Sequence, residues 1–317
     1  MNPRFRHWLK NLAIKTGSIK VLRKMRDAIV PPVQVDYRLL EQTGEVPFPT
    51  SATMEPTLAC NLECTMCFQN DYRARGIAKE LGADGLIHVL KSLPGTIRFV
   101  YFVGGEVFLR KGFRRVLEAA DARGIETFVT TNGTRIGNED WDVLGRLRHM
   151  TGIGFSLDGI GPAHDAVRGA GTYETIAGNI LRALTLQRTY VSFVIMESNV
   201  GHMPEFAKTV AGIGVREIGF QHEIYCLPED LHESYRRLGW SGQNEIMVTV
   251  KDHNWAPESR LQLAAGLATM PSLEREFGFV AAYEPPLPPE IMPSFYDGTI
   301  RSTTRLFCRE LTNLFID

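Results

Sequence analysis

No stretch of the sequence runs to 18 uninterrupted apolar residues, so no segment reads as a transmembrane helix, and nothing at its start resembles a cleavable signal peptide. Cysteine is scarce, with five in 317 residues: Cys60, Cys64, Cys67, Cys226 and Cys308. Three of them crowd together, which is not how a secreted disulfide framework is spaced and points to a metal or cluster site. The 17 prolines and 29 glycines are too few for a disordered or fibrous chain. Net charge is also nearly lacking, at −1. What is present is an ordinary globular balance, 44% hydrophobic and 22% charged, with ample apolar material for a core. These features lead us to expect a soluble, cytoplasmic, metal-dependent protein.

The small net charge hides an asymmetry. Residues 1–30 hold eight basic side chains (Arg4, Arg6, Lys10, Lys15, Lys20, Arg23, Lys24, Arg26) against Asp27, a local charge of +7. Phe5, Trp8, Leu9 and Leu12 recur at helical spacing, and Ile19, Leu22, Met25 and Ile29 repeat the pattern after Gly17. Two short amphipathic helices ending at Pro31-Pro32 are expected, within an arm and linker spanning 1–48. The favoured reading is a cap on the main domain with a solvated basic face. The other is a docking arm for an anionic partner or membrane surface.

From residue 50 strand-like and helix-like runs alternate. Strands are expected at Ala52–Leu58, Ile97–Val103, Glu126–Thr131, Gly152–Leu157, Val191–Met196 and Glu217–Gln221. Helical patterns fall near Ala83–Leu93, Gly112–Ala122, Asp140–Arg148, Tyr173–Leu186 and Met203–Ile213, with Thr172 as an N-cap and Gly124 and Gly214 as stops. Six such units predict an α/β domain over 49–226 with a parallel sheet, either barrel-like or open, and ligands beyond the carboxyl ends of its strands. After residue 226 the alternation fades. Residues 227–260 read as polar loop with a helix near Gly242–Val250, followed by a helix at Leu261–Phe277 and a strand at Phe279–Tyr283. The chain ends in an apolar run, Leu314-Phe315-Ile316-Asp317, that looks cut short.

Cys60-Asn61-Leu62-Glu63-Cys64-Thr65-Met66-Cys67 follows the first strand. Three thiolates at C-x3-C-x2-C spacing can converge on one iron–sulfur cluster, whereas structural zinc wants a fourth ligand and the next histidine is His88. Three ligands leave one iron open for chemistry. In this motif the sequence resembles the radical S-adenosylmethionine (SAM) superfamily. The resemblance implies a partial (β/α)6 TIM-like barrel and a [4Fe-4S] cluster on Cys60, Cys64 and Cys67, with SAM on the fourth iron. Met66 stands where the family usually has an aromatic residue, and a polarisable thioether can pack against adenine.

Later strand ends extend the resemblance. Gly104-Gly105-Glu106 matches the segment that binds the amino group of SAM, through close backbone approach and a carboxylate. Thr131-Asn132 and Ser156-Leu157-Asp158 match segments around its ribose and carboxylate, and Arg168 matches an arginine that pairs with that carboxylate. Asn199, Gln221 and Glu223 are expected to meet substrate; alternation sets Gln221 and Glu223 on one face and His222 on the other. Cys226 is a candidate catalytic thiol that returns hydrogen to a substrate radical, although a lone cysteine is more often a small buried residue.

Tyr296, Cys308 and the final strand resemble the entry to a SPASM or twitch extension, which carries auxiliary clusters. On that reading 227–317 begins such a region, the natural chain continues past Asp317, and further cysteines join Cys308 around a possible auxiliary Fe–S cluster. The implied partners are a one-electron donor such as flavodoxin or ferredoxin and a substrate peptide, protein side chain or small molecule. The rival readings are a non-catalytic iron–sulfur carrier and a zinc-stabilised interaction module.

Overall fold

The computed structural model describes residues 49–74, 76, 79–223, 225–226, 228–238, 249–250, 255–284 and 313–316. The basic arm, Tyr296 and Cys308 lie outside the described residues. So does most of the helix expected near Gly242–Val250, whose last two residues form a strand instead.

Six βα units follow in order. Strand β1 is Ser51–Met54, and after a long loop come α1 (Asn70–Ala74) and α2 (Ala83–Ser92). Then follow β2 (Phe99–Phe102), α3 (Phe113–Ala122), β3 (Glu126–Thr131), α4 (Asn138–Arg146) and β4 (Met150–Ser156). Helices α5 (Pro162–Arg168) and α6 (Thr172–Leu186) precede β5 (Thr189–Ile195), and α7 (Met203–Gly212) precedes β6 (Glu217–His222). Beyond these lie β7 (Tyr225–Cys226), α8 (Pro228–Leu238), β8 (Thr249–Val250), α9 (Pro257–Phe277), β9 (Val280–Glu284) and β10 (Asn313–Ile316).

The expected partial barrel is present as an open, all-parallel sheet in the order β10-β1-β2-β3-β4-β5-β6-β9. Each of β1 to β6 pairs with the next, as right-handed βαβ crossovers favour. Strand β9 adds to β6 and β10 adds to β1, while β7 and β8 pair with each other in a separate two-stranded ribbon. Leu314, Phe315 and Ile316 of the final apolar run therefore belong to a strand beside β1, which leads into the cysteine loop.

Burial is nearly continuous along β1, β4 and β6, whereas β2, β3 and β5 alternate buried and half-buried residues. One face packs Val100, Phe102, Val129, Ile153, Phe193 and Ile218 into a single core with helix residues such as Leu90, Val116, Ile180 and Phe206. The other face is filled by aromatic rings laid over glycines. A Cβ on Gly154 would stand 3.0 Å from Phe128, and one on Gly219 would fall 1.5 Å from the Tyr190 hydroxyl. Tyr101 and Thr130 share a 2.7 Å hydrogen bond on this side. At the strand starts Arg188 grips both carboxylate oxygens of Glu217 and lies over the Phe128 ring.

Three expectations need correction. Gly171, at φ +76°, caps α6, so Thr172 is its first residue; the Thr172 hydroxyl turns back to the Gly169 carbonyl at 2.7 Å. Helix α8 forms where a polar loop was expected, with Pro228 at its first position suiting a helix start. Helix α5 escaped notice because it is two turns long between glycines.

Candidate active site at the strand tips

The loop after β1 is held on several sides. Glu80 accepts hydrogen bonds from the Leu58 amide at 2.7 Å and the Thr57 hydroxyl at 2.9 Å, and its other oxygen meets Arg110 at 2.9 Å. Gly105 N donates to Thr57 O and Glu106 N to Ala59 O, both at 2.8 Å, so the β2 tip lies backbone to backbone on the cysteine loop. A Cβ on Gly105 would sit 2.2 Å from Ala59 O, which is why the position takes glycine. Further on, Cys67 N donates to Cys64 O at 3.0 Å and Thr65 N reaches Val167 O on α5 at 3.0 Å.

Cys60, Cys64 and Cys67 are not in disulfides. All three line one cavity of about 200 Å³ at the carboxyl ends of the strands. Each sulfur meets one side-chain nitrogen: Asn132 Nδ2 at 3.6 Å from Cys60, Arg168 Nη1 at 3.8 Å from Cys64, and Arg73 Nη2 at 3.7 Å from Cys67. Burial pushes the Cys64 thiol up from its ordinary range, and the Arg168 charge works against that rise.

A second layer fixes these donors. Asp158 is fully buried; it takes Arg168 Nε at 2.5 Å and the Val194 amide at 2.6 Å, tying α5, β4 and β5 together. The same acid and the nearby thiols hold the Arg168 guanidinium above its usual range despite its burial. His164, also fully buried, accepts the Asp158 amide at 3.1 Å through Nδ1. Burial, with Arg168 beside it, lowers His164 to about 4, so the ring is neutral.

The sequence-predicted residues sort into two groups. Met66, Gly104, Gly105, Thr131, Asn132, Ser156, Arg168 and Gln221 line the cavity with the cysteines. Glu106 stays behind it, fully buried, its carboxylate accepting from Thr131 Oγ1 and Asn132 N at 2.7 Å each and Phe108 N at 3.1 Å. Burial raises this carboxyl above its ordinary range. Asn199 is buried too, with its amide given to Val194 O at 2.9 Å and Asp158 O at 3.2 Å and its carbonyl taking Met196 N at 2.9 Å. Neither Asp158, Asn199 nor Glu223 is among the lining residues, and Cys226 is described only as backbone in β7. The cavity also takes in Thr130, next to the expected Thr131, and residues that sequence reasoning missed, among them Phe68, Gln69, Arg73 and Val194. His222 also lines it beside Gln221, and β6 keeps the expected alternation, with Gln221 in register with Val194 and His222 with Ile195.

The donor set fits a cluster better than one ion. Among the described residues no group of three His, Cys, Asp or Glu is arranged to hold a single metal ion. A four-iron cluster asks something else, since each thiolate goes to a separate iron and the sulfurs accept hydrogen bonds. Three cysteines on one loop, each with its own nitrogen donor, meet that demand.

The strand-tip cysteine loop inside a parallel βα sheet defines an iron–sulfur protein of the barrel type. The chain belongs to the radical SAM superfamily, whose sequence profile matches residues 54–223, just over half of it. The sporulation killing factor maturation protein SkfB of Bacillus subtilis is 28% identical over 171 residues, covering 52% of this chain and 40% of the relative. The Fe-coproporphyrin III synthase of Methanosarcina barkeri is 27% identical over 232 residues, 65% of this chain and 57% of the relative. The chain thus spans about half the length of the curated relatives it matches. In fold it is similar to Streptococcus suis SuiB bound to S-adenosylmethionine, with a TM-score of 0.53 and 14% identity over 78% of this chain and 49% of that one. SuiB has also been solved with its precursor peptide SuiA.

Proposed function

We propose that this protein is an enzyme that reductively cleaves SAM at a [4Fe-4S] cluster and abstracts hydrogen from a peptide or protein side chain. The observation that carries the proposal is the convergence of Cys60, Cys64 and Cys67 on one cavity at the strand tips. When bound, the reduced cluster and SAM supply a 5′-deoxyadenosyl radical, which takes hydrogen from unactivated C–H bonds.

The chain's own part is binding, orientation and exclusion of water. Cys60, Cys64 and Cys67 would hold the cluster. The Gly104 and Gly105 backbone, Asn132, Ser156 and Arg168 would cradle SAM, and Met66 would pack on its adenine. Glu106 and Asp158 act behind them, fixing Thr131, the Asn132 amide and Arg168. Leu62, Phe68, Val103 and Val194 give the cavity apolar walls that keep water from a radical. Gln221 and His222, on the far strand, are the side chains offered to substrate.

SkfB is a maturation protein and SuiB has been solved bound to its precursor peptide, and both support a peptide substrate. The synthase keeps a small-molecule substrate as the second reading. A flavodoxin- or ferredoxin-like protein would supply the electron. A cytoplasmic location belongs to the same proposal, because the thiols and cluster require a reducing compartment; no described helix is long and apolar enough to cross a membrane.

Anaerobic reconstitution with iron and sulfide tests the cluster assignment. The wild type should bind about four irons per chain through these cysteines, and Cys64→Ala should lose them while keeping its secondary structure. Adding SAM should change the electron paramagnetic resonance spectrum of the reduced cluster. An unchanged spectrum would favour a simple electron carrier.

A further inference from the structure

The three nitrogen donors around the cysteine sulfurs are not equivalent. Asn132 is neutral. Arg168 is charged, but the buried carboxylate of Asp158 lies 2.5 Å from its Nε and offsets that charge. Arg73, on α1, has no carboxylate within ion-pair distance among the described residues. Its remaining contacts are uncharged oxygens: Leu62 O at 3.5 Å, Gln69 Oε1 at 3.4 Å and Asn70 Oδ1. A guanidinium that no described acid offsets therefore lines the cavity, 3.7 Å from Cys67 Sγ.

We infer that Arg73 is a positioning residue that acts through the Cys67 sulfur to raise the reduction potential of the cluster. The inference rests on the cluster reading above. Reduction adds one electron, taken from a protein donor that is itself oxidised by one, and transfers no proton. The added negative charge spreads onto the thiolate sulfurs, so a nearby positive charge with an N–H···S contact favours the reduced state. Asn132 offers only a dipole, and Arg168 with Asp158 only a compensated pair, so Arg73 should have the largest influence of the three. It sits six residues beyond Cys67 on a helix that the loop itself starts: Asn70 Nδ2 donates to Cys64 O at 2.9 Å and Asn70 N to Cys67 O at 3.1 Å.

The test compares wild type, Arg73→Gln and Arg73→Lys as full chains, reconstituted anaerobically. Iron per chain, the midpoint potential by spectroscopic titration, and SAM affinity are measured on each. Arg73→Gln should keep its iron, and its potential should move negative by about a tenfold change in the reduction equilibrium, ~59 mV for one electron. Arg73→Lys, which keeps the charge, should move less, and SAM affinity should stay within about twofold in both. An unchanged potential in iron-loaded Arg73→Gln would overturn the inference. Weaker SAM binding at an unchanged potential would also overturn it, making Arg73 an anion anchor. Loss of iron from both variants would overturn it too, reducing Arg73 to a brace for the loop. A wild type that takes up no cluster would instead sink the proposed function, and the two failures are distinguished by that control.

Discussion

At the scale of single residues, the acids recognised in the motifs act behind the cavity. Glu106 is the clearest case: its carboxylate is spent on Thr131, Asn132 and Phe108. Replacing it with Gln puts an amide where only acceptors are wanted and leaves a buried donor unmatched. A loss of about 1–3 kcal/mol in urea unfolding should follow, with weaker SAM binding as a consequence. Weaker SAM binding with unchanged stability would mean that Glu106 contacts the ligand directly. His164 gives a pH dependence. Its folded value of about 4 lies below the ordinary histidine value of 6.5, so between these the unfolded chain binds more protons. Stability should therefore fall as pH drops through that window, by about 1.5 kcal/mol from pH 6.5 to 5. Glu106, a raised acid, contributes with the opposite sign, becoming less favourable as pH rises above its ordinary value. Denaturation of the cluster-free wild type and His164→Gln at the two pH values isolates the histidine. An equal pH response in both proteins would refute the assignment.

At the scale of elements, the alternation of apolar strands and amphipathic helices made the sheet legible, and β3 falls on its expected residues, Glu126–Thr131. Strands β2, β3 and β5 alternate buried and half-buried residues while β1, β4 and β6 are buried nearly throughout, and all are bounded by turns, which is a strong signal. What stayed hidden has physical reasons. Helix α5 is too short to show a period, the Leu231, Tyr235 and Leu238 spacing of α8 is outweighed by its polar composition, and the pairing of β9 and β10 with β6 and β1 is a tertiary fact with no local mark. The site was legible in the same uneven way. Motif spacing singled out the cysteines, Asn132 and Arg168, which the fold brings to one cavity, but whether an acid faces the cavity or braces it depends on packing, as Glu106 and Asp158 illustrate. Arg73 belongs to no recognised motif and emerged only from its distance to sulfur. The glycines of the β2 tip were expected to admit a ligand; Gly105 also admits the cysteine loop. Gly105→Ala would force a Cβ against Ala59 O and Leu58 O, both backbone atoms that cannot turn aside. It should cost about 3 kcal/mol, the upper part of the usual overpacking range, and reduce iron uptake. Thermal unfolding and iron analysis check this, and a variant with wild-type values in both would contradict the close packing of the two loops.

At the scale of the molecule, an open parallel sheet gathers six strand tips around one cavity, and the chemistry follows from what stands there. Three thiolates with three nitrogen donors suit a cluster, the glycine-rich and hydroxyl-bearing tips suit a polar cofactor, and Gln221 and His222 complete the far wall. On the proposed function, the arrangement would leave the difficult chemistry to the cofactors and the holding, orienting and drying to the protein. The most direct test of that account is anaerobic incubation of the reconstituted protein with SAM and a strong one-electron reductant, following products by liquid chromatography and mass spectrometry. The account predicts 5′-deoxyadenosine and methionine in equal amounts, both absent when Cys64→Ala replaces the wild type. A fully iron-loaded, reduced wild type that leaves SAM intact would contradict it.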